Sequence, residues 1–96
     1  MATYISLCSW TQQGIEKVKD SPARLDAARK AFKAAGAELK DFYLTMGQYD
    51  FVIVTEAPDD ATAARAALSV AQHGSVRTET LRAFTEAEYR KLLGSL

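Results

Sequence analysis

The chain has 96 residues, in which 12 lysines and arginines balance 12 aspartates and glutamates, and its sequence pI is about 6.6. This balance argues against a nucleic-acid-binding surface and a polybasic membrane anchor, since both need a basic patch. No apolar run approaches the roughly 18 residues of a transmembrane helix, and residues 1–6 lack the pattern of a secretory signal. The lone Cys8 allows no intrachain disulfide and suits a reducing compartment. We therefore expect one cytoplasmic domain over residues 1–96, with no nucleic-acid or membrane partner.

The first half of the chain predicts a strand followed by a helix. Residues 3–10 alternate so that both faces can be buried, which is typical of a central strand. After a connector, Ser21 and Pro22 suit the N-cap and first position of a helix, and Gly36 suits its end.

Residues 39–46 and 49–56 are predicted to form a β-hairpin around Gly47-Gln48, because glycine suits the first central position of a type II′ turn. This register pairs Leu44 with Phe51 and Phe42 with Ile53 on the face that the helices cover, where Met46 also lies. The opposite face then carries an aromatic and aliphatic set with few polar groups, joined by one side of the first strand: Tyr43, Thr45, Asp50, Val52, Val54, Tyr4, Ser6, Cys8 and Trp10.

The second half predicts a helix from residue 61 to 72, a strand from 76 to 84 and a short terminal helix. Thr85 and Glu88 have the spacing of a capping box before that last helix. The order β-α-β-β-α-β is that of a ferredoxin-like α+β fold with a four-stranded antiparallel sheet, in which the first and third strands are central.

In this fold both helices cover one face of the sheet, and we expect the other face to mark an interface or a ligand site. A second copy can cover it sheet against sheet, which predicts a homodimer or higher homo-oligomer. The terminal helix folding over this face is the alternative, and it predicts a monomer.

Several segments, taken in order, resemble the GYD domain family. They cover nearly the whole chain: residues 3–7, 10–15, 21–24, 42–50, 56–60 and 76–84. The family is named for a G-x-Y-D segment, which corresponds here to Gly47, Tyr49 and Asp50. The resemblance implies a small protein of the dimeric α+β barrel type and implies no particular activity.

A second resemblance is local, because residues 46–54 are similar to the hairpin of the effector-binding domains of leucine-responsive (Lrp/AsnC) regulators. Those domains dimerise and bind amino acids between subunits. The chain has no helix-turn-helix in front of this hairpin, so the resemblance implies a sensor or binding module and not a regulator by itself.

These observations lead to three functional hypotheses. The first is a homo-oligomeric module that binds or senses a small molecule in a pocket on the uncovered sheet face, near Tyr4, Trp10, Tyr43, Tyr49 and Asp50. The second is a cofactor-independent enzyme of the monooxygenase, isomerase or decarboxylase type, with Asp50 as acid or base. The third is a purely structural oligomer. Because only the second hypothesis is an enzyme, the sequence leaves open whether the chain catalyses a reaction.

Individual residues allow two interpretations each. Asp50 can bind a ligand amine, or instead cap backbone N–H groups around the turn or pair with an arginine of the next subunit. Tyr49 can line a pocket or pack on Met46 from the helix side of the sheet. His73 suits the end of a helix dipole; as an axial haem ligand it would need a large apolar pocket beside it. Cys8 is expected in the interface as a small apolar residue. No metal site or cofactor is predicted.

Overall fold

The computed structural model describes residues 1–96 and contains one four-stranded antiparallel sheet. Its strands are β1 Ala2–Trp10, β2 Glu38–Leu44, β3 Phe51–Ala57 and β4 Val76–Ala83. Its helices are α1 Gln12–Glu16, α2 Ser21–Ala34, α3 Asp60–Ala71 and α4 Glu86–Gly94, with a 3-10 turn at Val18–Asp20. The strands lie in the order β2-β3-β1-β4, which confirms the ferredoxin-like α+β prediction with the first and third strands central.

Capping residues begin the helices close to where the sequence predicts. The capping box of α4 is confirmed, since the side chains of Thr85 and Glu88 each accept from the other residue's backbone N–H. Asp59 begins α3 by accepting from the N–H of Thr62 at 2.8 Å. Helix α2 begins at Ser21, one residue earlier than predicted, with Asp20 at the N-cap position.

The hairpin differs from the predicted type II′ turn. Its last ladder pair is Leu44 with Phe51, and residues 45–50 form a longer link, closed by a 2.9 Å hydrogen bond from the Thr45 N–H to the Asp50 carbonyl. Gly47 does adopt a positive φ of 113°. Met46 is 99% exposed, so placing it in the core was wrong: beyond the ladder no neighbouring strand keeps it over the sheet.

The two faces of β1 are exchanged relative to the prediction. Cys8 pairs with Phe51 and Tyr4 with Thr55, and residues directly opposite each other in a ladder project from the same face. The even-numbered side chains of β1 therefore lie under the helices and not on the uncovered face: Tyr4, Ser6, Cys8 and Trp10. Both faces of a central strand can be buried, so the alternation of residues along β1 could not by itself show which face the helices cover.

A β-bulge in β2 aligns its apolar residues with the core. The register shifts between Leu39 and Asp41, so that Leu39 faces Thr55 and Phe42 faces Ile53. Two residues three positions apart thereby reach the same side of the sheet, which a regular strand would not allow. The core then brings the inner face together with Phe32 of α2 and with Ala63 and Ala66 of α3.

The other side of the sheet is uncovered. We call it the open face, and its apolar residues are Ile5, Leu7, Tyr43, Val52, Val54 and Leu81. Helix α4 does not fold over it, because α4 has almost no packing against the other elements. None of the helices combines the length and the apolar character needed to cross a bilayer.

Candidate functional site

A cavity of about 430 Å³ lies between the inner face of the sheet and helices α2 and α3; we call it the helix–sheet cavity. Its floor includes Cys8, Phe51 and Ile53, and α2 and α3 supply small or apolar residues above it: Leu25, Ala28, Ala31, Phe32, Ala67 and Val70. Alanines on both helices leave space that leucine or isoleucine would fill. The volume lies within the range of small-molecule sites, roughly 300–1,000 Å³.

The buried polar groups of the cavity floor are neutral and hydrogen-bonded. The thiol of Cys8, which is 0% exposed, donates to the carbonyl of Ser6 at 3.7 Å, and burial raises the pKa of this thiol to about 12. The hydroxyls of Ser6 and Thr80 lie 2.8 Å apart in a hydrogen bond. No buried side-chain oxygen or nitrogen lacks a partner. The floor therefore favours an apolar occupant over a charged one.

The outer end of the cavity is held together by hydrogen bonds between α1, α2 and the start of β4. The guanidinium of Arg24 donates to the carbonyls of Gly14 and Lys17, each at 3.0 Å. The N–H of Thr11 donates to the carbonyl of Ser75 at 3.0 Å. Arg24, Ser75 and His73 line this end of the cavity.

Asp50, the candidate acid or base, bonds to the backbone of β1. Its carboxylate accepts from the N–H of Trp10 at 2.9 Å, and its own N–H donates to the carbonyl of Cys8 at 2.9 Å. These bonds extend the β1–β3 pairing past the last ladder pair, Cys8 with Phe51. The carboxylate therefore bonds to backbone 40 residues away, on the neighbouring strand, and not to the backbone of its own turn.

Tyr49 reaches the open face and not the helix side. Its hydroxyl donates to the carboxylate of Glu79 at 2.5 Å, and Glu79 pairs with Leu7 of the open face. Placing Tyr49 on the helix side with Met46 was therefore wrong. The hydrogen bond to Glu79 raises the pKa of Tyr49.

Tyr4 lies at the opposite end of β1 from the hairpin. Its hydroxyl donates to the carboxylate of Asp60 at 2.5 Å, and this bond raises the pKa of the phenol. Six residues of strand separate Tyr4 from Trp10, a span of about 20 Å. The two residues thus cannot share a small pocket, although both lie on the inner face.

The five predicted ligand residues are therefore spread over three places. Trp10 lines the helix–sheet cavity, where it packs on Phe51 with ring centroids 5.5 Å apart, and Asp50 touches its backbone. Tyr4 lies at the far end of the sheet, while Tyr43 is 59% exposed on the open face. Whether any of them binds a ligand stays a prediction.

Neither the cavity nor the helix residues that line it were predicted from the sequence. The available signal is the alanine content of α2 and α3, which is equally consistent with close packing of these helices on the sheet. His73, expected at the end of a helix, does follow the C-cap of α3. It is also among the residues that line the cavity.

Comparison with known sequences gives two matches that cover most of the chain. The sequence model of the GYD domain matches residues 4–93. The chain is also 39% identical, over 89 residues, to the glutamine synthetase and cystathionine beta-lyase binding protein of Thermus thermophilus, a match that covers 92% of this chain and 94% of the relative.

Comparison with solved structures gives the same fold. The M. tuberculosis feast or famine regulatory protein Rv3291c, solved in complex with L-methionine, superposes with a TM-score of 0.67 at 13% identity, over 88% of this chain. The TTHA0845 structure, also from Thermus thermophilus, superposes with a TM-score of 0.57 at 23% identity, over 88% of this chain and 95% of that one. The chain spans about half, 51%, of the regulatory protein.

Proposed function

The chain belongs to the GYD domain family, and we propose that it is a homo-oligomeric module that binds or senses a small molecule. The observation that carries the proposal is the helix–sheet cavity, which has the size and apolar lining of a ligand site. A relative named as a binding protein supports it, as does a structural neighbour solved with an amino acid. The pocket is proposed within each subunit, not at the subunit interface. The reduced, buried Cys8 supports a cytoplasmic location.

Self-association is proposed to occur through the open face. Four strands about 4.8 Å apart and seven residues long at roughly 3.3 Å each give a projected area of about 440 Å². An ordinary interface buries about 800 Å² per partner. The accessible surface of a face that carries side chains exceeds its flat projection, so the open face supplies at least about half of this area and a second contact surface would complete the interface.

Helix α4 is the proposed second contact surface. Tyr89, Leu92 and Leu93 are each about half exposed, at 54%, 51% and 48%. The chain has a radius of gyration of 14.2 Å, against about 12.5 Å for a compact domain of this length. A helix that projects from its own domain with apolar side chains exposed is stabilised when a second copy covers those side chains.

The two alternative functions have less support. Asp50 is the acid or base of the enzyme alternative, but its carboxylate already accepts a hydrogen bond from the N–H of Trp10. A purely structural oligomer leaves the helix–sheet cavity without a role.

Binding of a protein partner is a second candidate function, favoured by the 39% identity to a protein whose name states that it binds glutamine synthetase and cystathionine beta-lyase. Biolayer interferometry with each purified enzyme tests it. Saturable binding to the assembled protein is expected. A response no larger than that of an unrelated enzyme would remove this function.

A thermal-shift screen of the assembled protein tests small-molecule binding. A ligand at 100 times its dissociation constant stabilises the folded state by about 2.7 kcal/mol, which raises Tm by roughly 10 °C or more in a domain of this size. The library contains amino acids, carboxylic acids, amides and nucleosides. If no member of the library raises Tm, the proposal is contradicted. If a ligand raises the Tm of wild type and of Asp50→Asn equally, Asp50 does not contribute to binding.

A further inference from the structure

The helix–sheet cavity is apolar at its deep end and cationic at its outer end. Cys8 and Phe32, at 0% and 3% exposure, lie at the deep end, whereas His73 is exposed at the surface. No aspartate or glutamate lines the cavity, and Arg24 is its one permanently charged residue. A molecule inside it therefore meets apolar surface, and Arg24 is the one residue around it whose permanent positive charge can pair with an anion.

The guanidinium of Arg24 is held in position by hydrogen bonds, and some of its N–H donors remain unpaired. A guanidinium carries five N–H donors, of which two bond to the carbonyls of Gly14 and Lys17. These two bonds limit the motion of the group, so less conformational entropy is lost when it binds an anion. The fork of the guanidinium matches the two oxygens of a carboxylate.

Resting on the proposed small-molecule function, we propose that the cavity binds an aromatic or branched apolar carboxylic acid, with the carboxylate at Arg24 and the apolar body between Phe32 and Phe51. The size is adequate, because an apolar cavity of about 150 Å³ already holds benzene, and this one measures about 430 Å³. Burial of the ring supplies most of the affinity. The charge pair at the entrance sets its orientation.

The same lining disfavours α-amino acids. An ammonium group in the cavity has no carboxylate to pair with, and the carbonyls of Gly14 and Lys17 are occupied by Arg24. It would also lie near a guanidinium of the same sign, and burying an unpaired charge is costly. A deaminated acid is therefore expected to bind at least tenfold more tightly than the matching amino acid.

Trp10 reports on the cavity directly, because it is the one tryptophan of the chain and lines the site. Its fluorescence is followed while the assembled protein is titrated with 3-phenylpropanoate, L-phenylalanine or 3-phenylpropanamide, which share one skeleton. The acid is expected to bind at least tenfold more tightly than the other two. Equal or tighter binding of the amino acid or the amide would overturn the carboxylate assignment and leave the small-molecule function standing.

Two variants test where the acid binds. Ala28→Phe fills the cavity and is expected to abolish binding, whereas Ala23→Phe, on the exposed side of the same helix, preserves it. Arg24→Gln is expected to bind acid and amide alike, and Arg24→Lys to regain part of the preference. Unchanged acid affinity in Arg24→Gln would overturn the proposal without need of the Ala28 variant. If a library ligand raises Tm but leaves Trp10 fluorescence unchanged, the site lies elsewhere; if no ligand raises Tm, the proposed function itself fails.

Discussion

The carboxylate of Asp50 accepts a 2.9 Å hydrogen bond from the backbone N–H of Trp10. Together with the bond from the Asp50 N–H to the Cys8 carbonyl, it continues the pairing of β1 with β3 where the hairpin leaves the ladder. The aspartate of the G-x-Y-D segment thus has a structural role that needs no ligand.

Replacing Asp50 with alanine is expected to lower the free energy of unfolding by about 1–3 kcal/mol, because the N–H of Trp10 loses its acceptor. Asp50→Asn keeps an oxygen in the same place and is expected to cost less. Urea denaturation of both variants checks this. Equal stability of Asp50→Ala and wild type would show that the hydrogen bond contributes nothing.

Gly14 is expected to tolerate no side chain. A Cβ there would lie 2.0 Å from the carbonyl oxygen of Ser75, a backbone atom directly before β4 that cannot rotate away as a side chain could. Gly14→Ala should therefore destabilise the protein by roughly 1–3 kcal/mol or more. Gly94→Ala is the matched control, since a Cβ there meets nothing within 4 Å. Thermal unfolding of the two variants compares them, and similar Tm values would refute the close approach.

Val54→Lys is expected to dissociate the proposed oligomer, because it places an ammonium in the middle of the open face. Ala64→Lys adds the same charge on the exposed side of α3 and should leave the assembly intact. Light scattering after size exclusion gives the masses. The Val54 variant should approach the 10.5 kDa of one chain. Wild type already at that mass would contradict self-association through the open face.

Leu92→Ser is expected to weaken the assembly with little effect on the stability of the isolated subunit. The reason is that α4 has almost no packing within its own chain and Leu92 is 51% exposed, so a second copy is expected to cover Leu92 in the proposed assembly. Sedimentation velocity over a range of concentrations measures the dimerisation constant. An unchanged constant would show that α4 lies outside the interface.

Stability should fall above pH 9 because of Cys8. The pKa of its thiol rises from 9.0 to about 12 on burial, so between these values the unfolded chain releases a proton that the folded chain keeps. The free energy of unfolding therefore decreases with rising pH, by about 1.4 kcal/mol from pH 8 to pH 10. Cys8→Ala should lack this part of the decrease. The raised pKa values of Tyr4 and Tyr49 are common to both proteins, so the difference in urea denaturation isolates the thiol.

Local sequence signals were enough to predict the four strands and the helices α2, α3 and α4 in their order, whereas α1 lies in the stretch that was predicted as a connector. Thr85 and Glu88 mark the start of α4, and the pairs Leu44 with Phe51 and Phe42 with Ile53 follow from the position of Gly47. Such features depend on hydrogen bonds and backbone conformations within a few residues, so a short stretch of sequence contains the information.

The face of β1 that the helices cover, and the position of the cavity, depend on contacts between distant parts of the chain. Strand β1 can bury either face, and its phase is set by the pairing of Cys8 with Phe51, 43 positions along the chain. The cavity depends on the distance between layers whose alanines, such as Ala28 and Ala67, are equally consistent with close packing. Local patterns in the sequence thus establish the ferredoxin-like plan, while long-range packing in the folded chain establishes what each face of the sheet does.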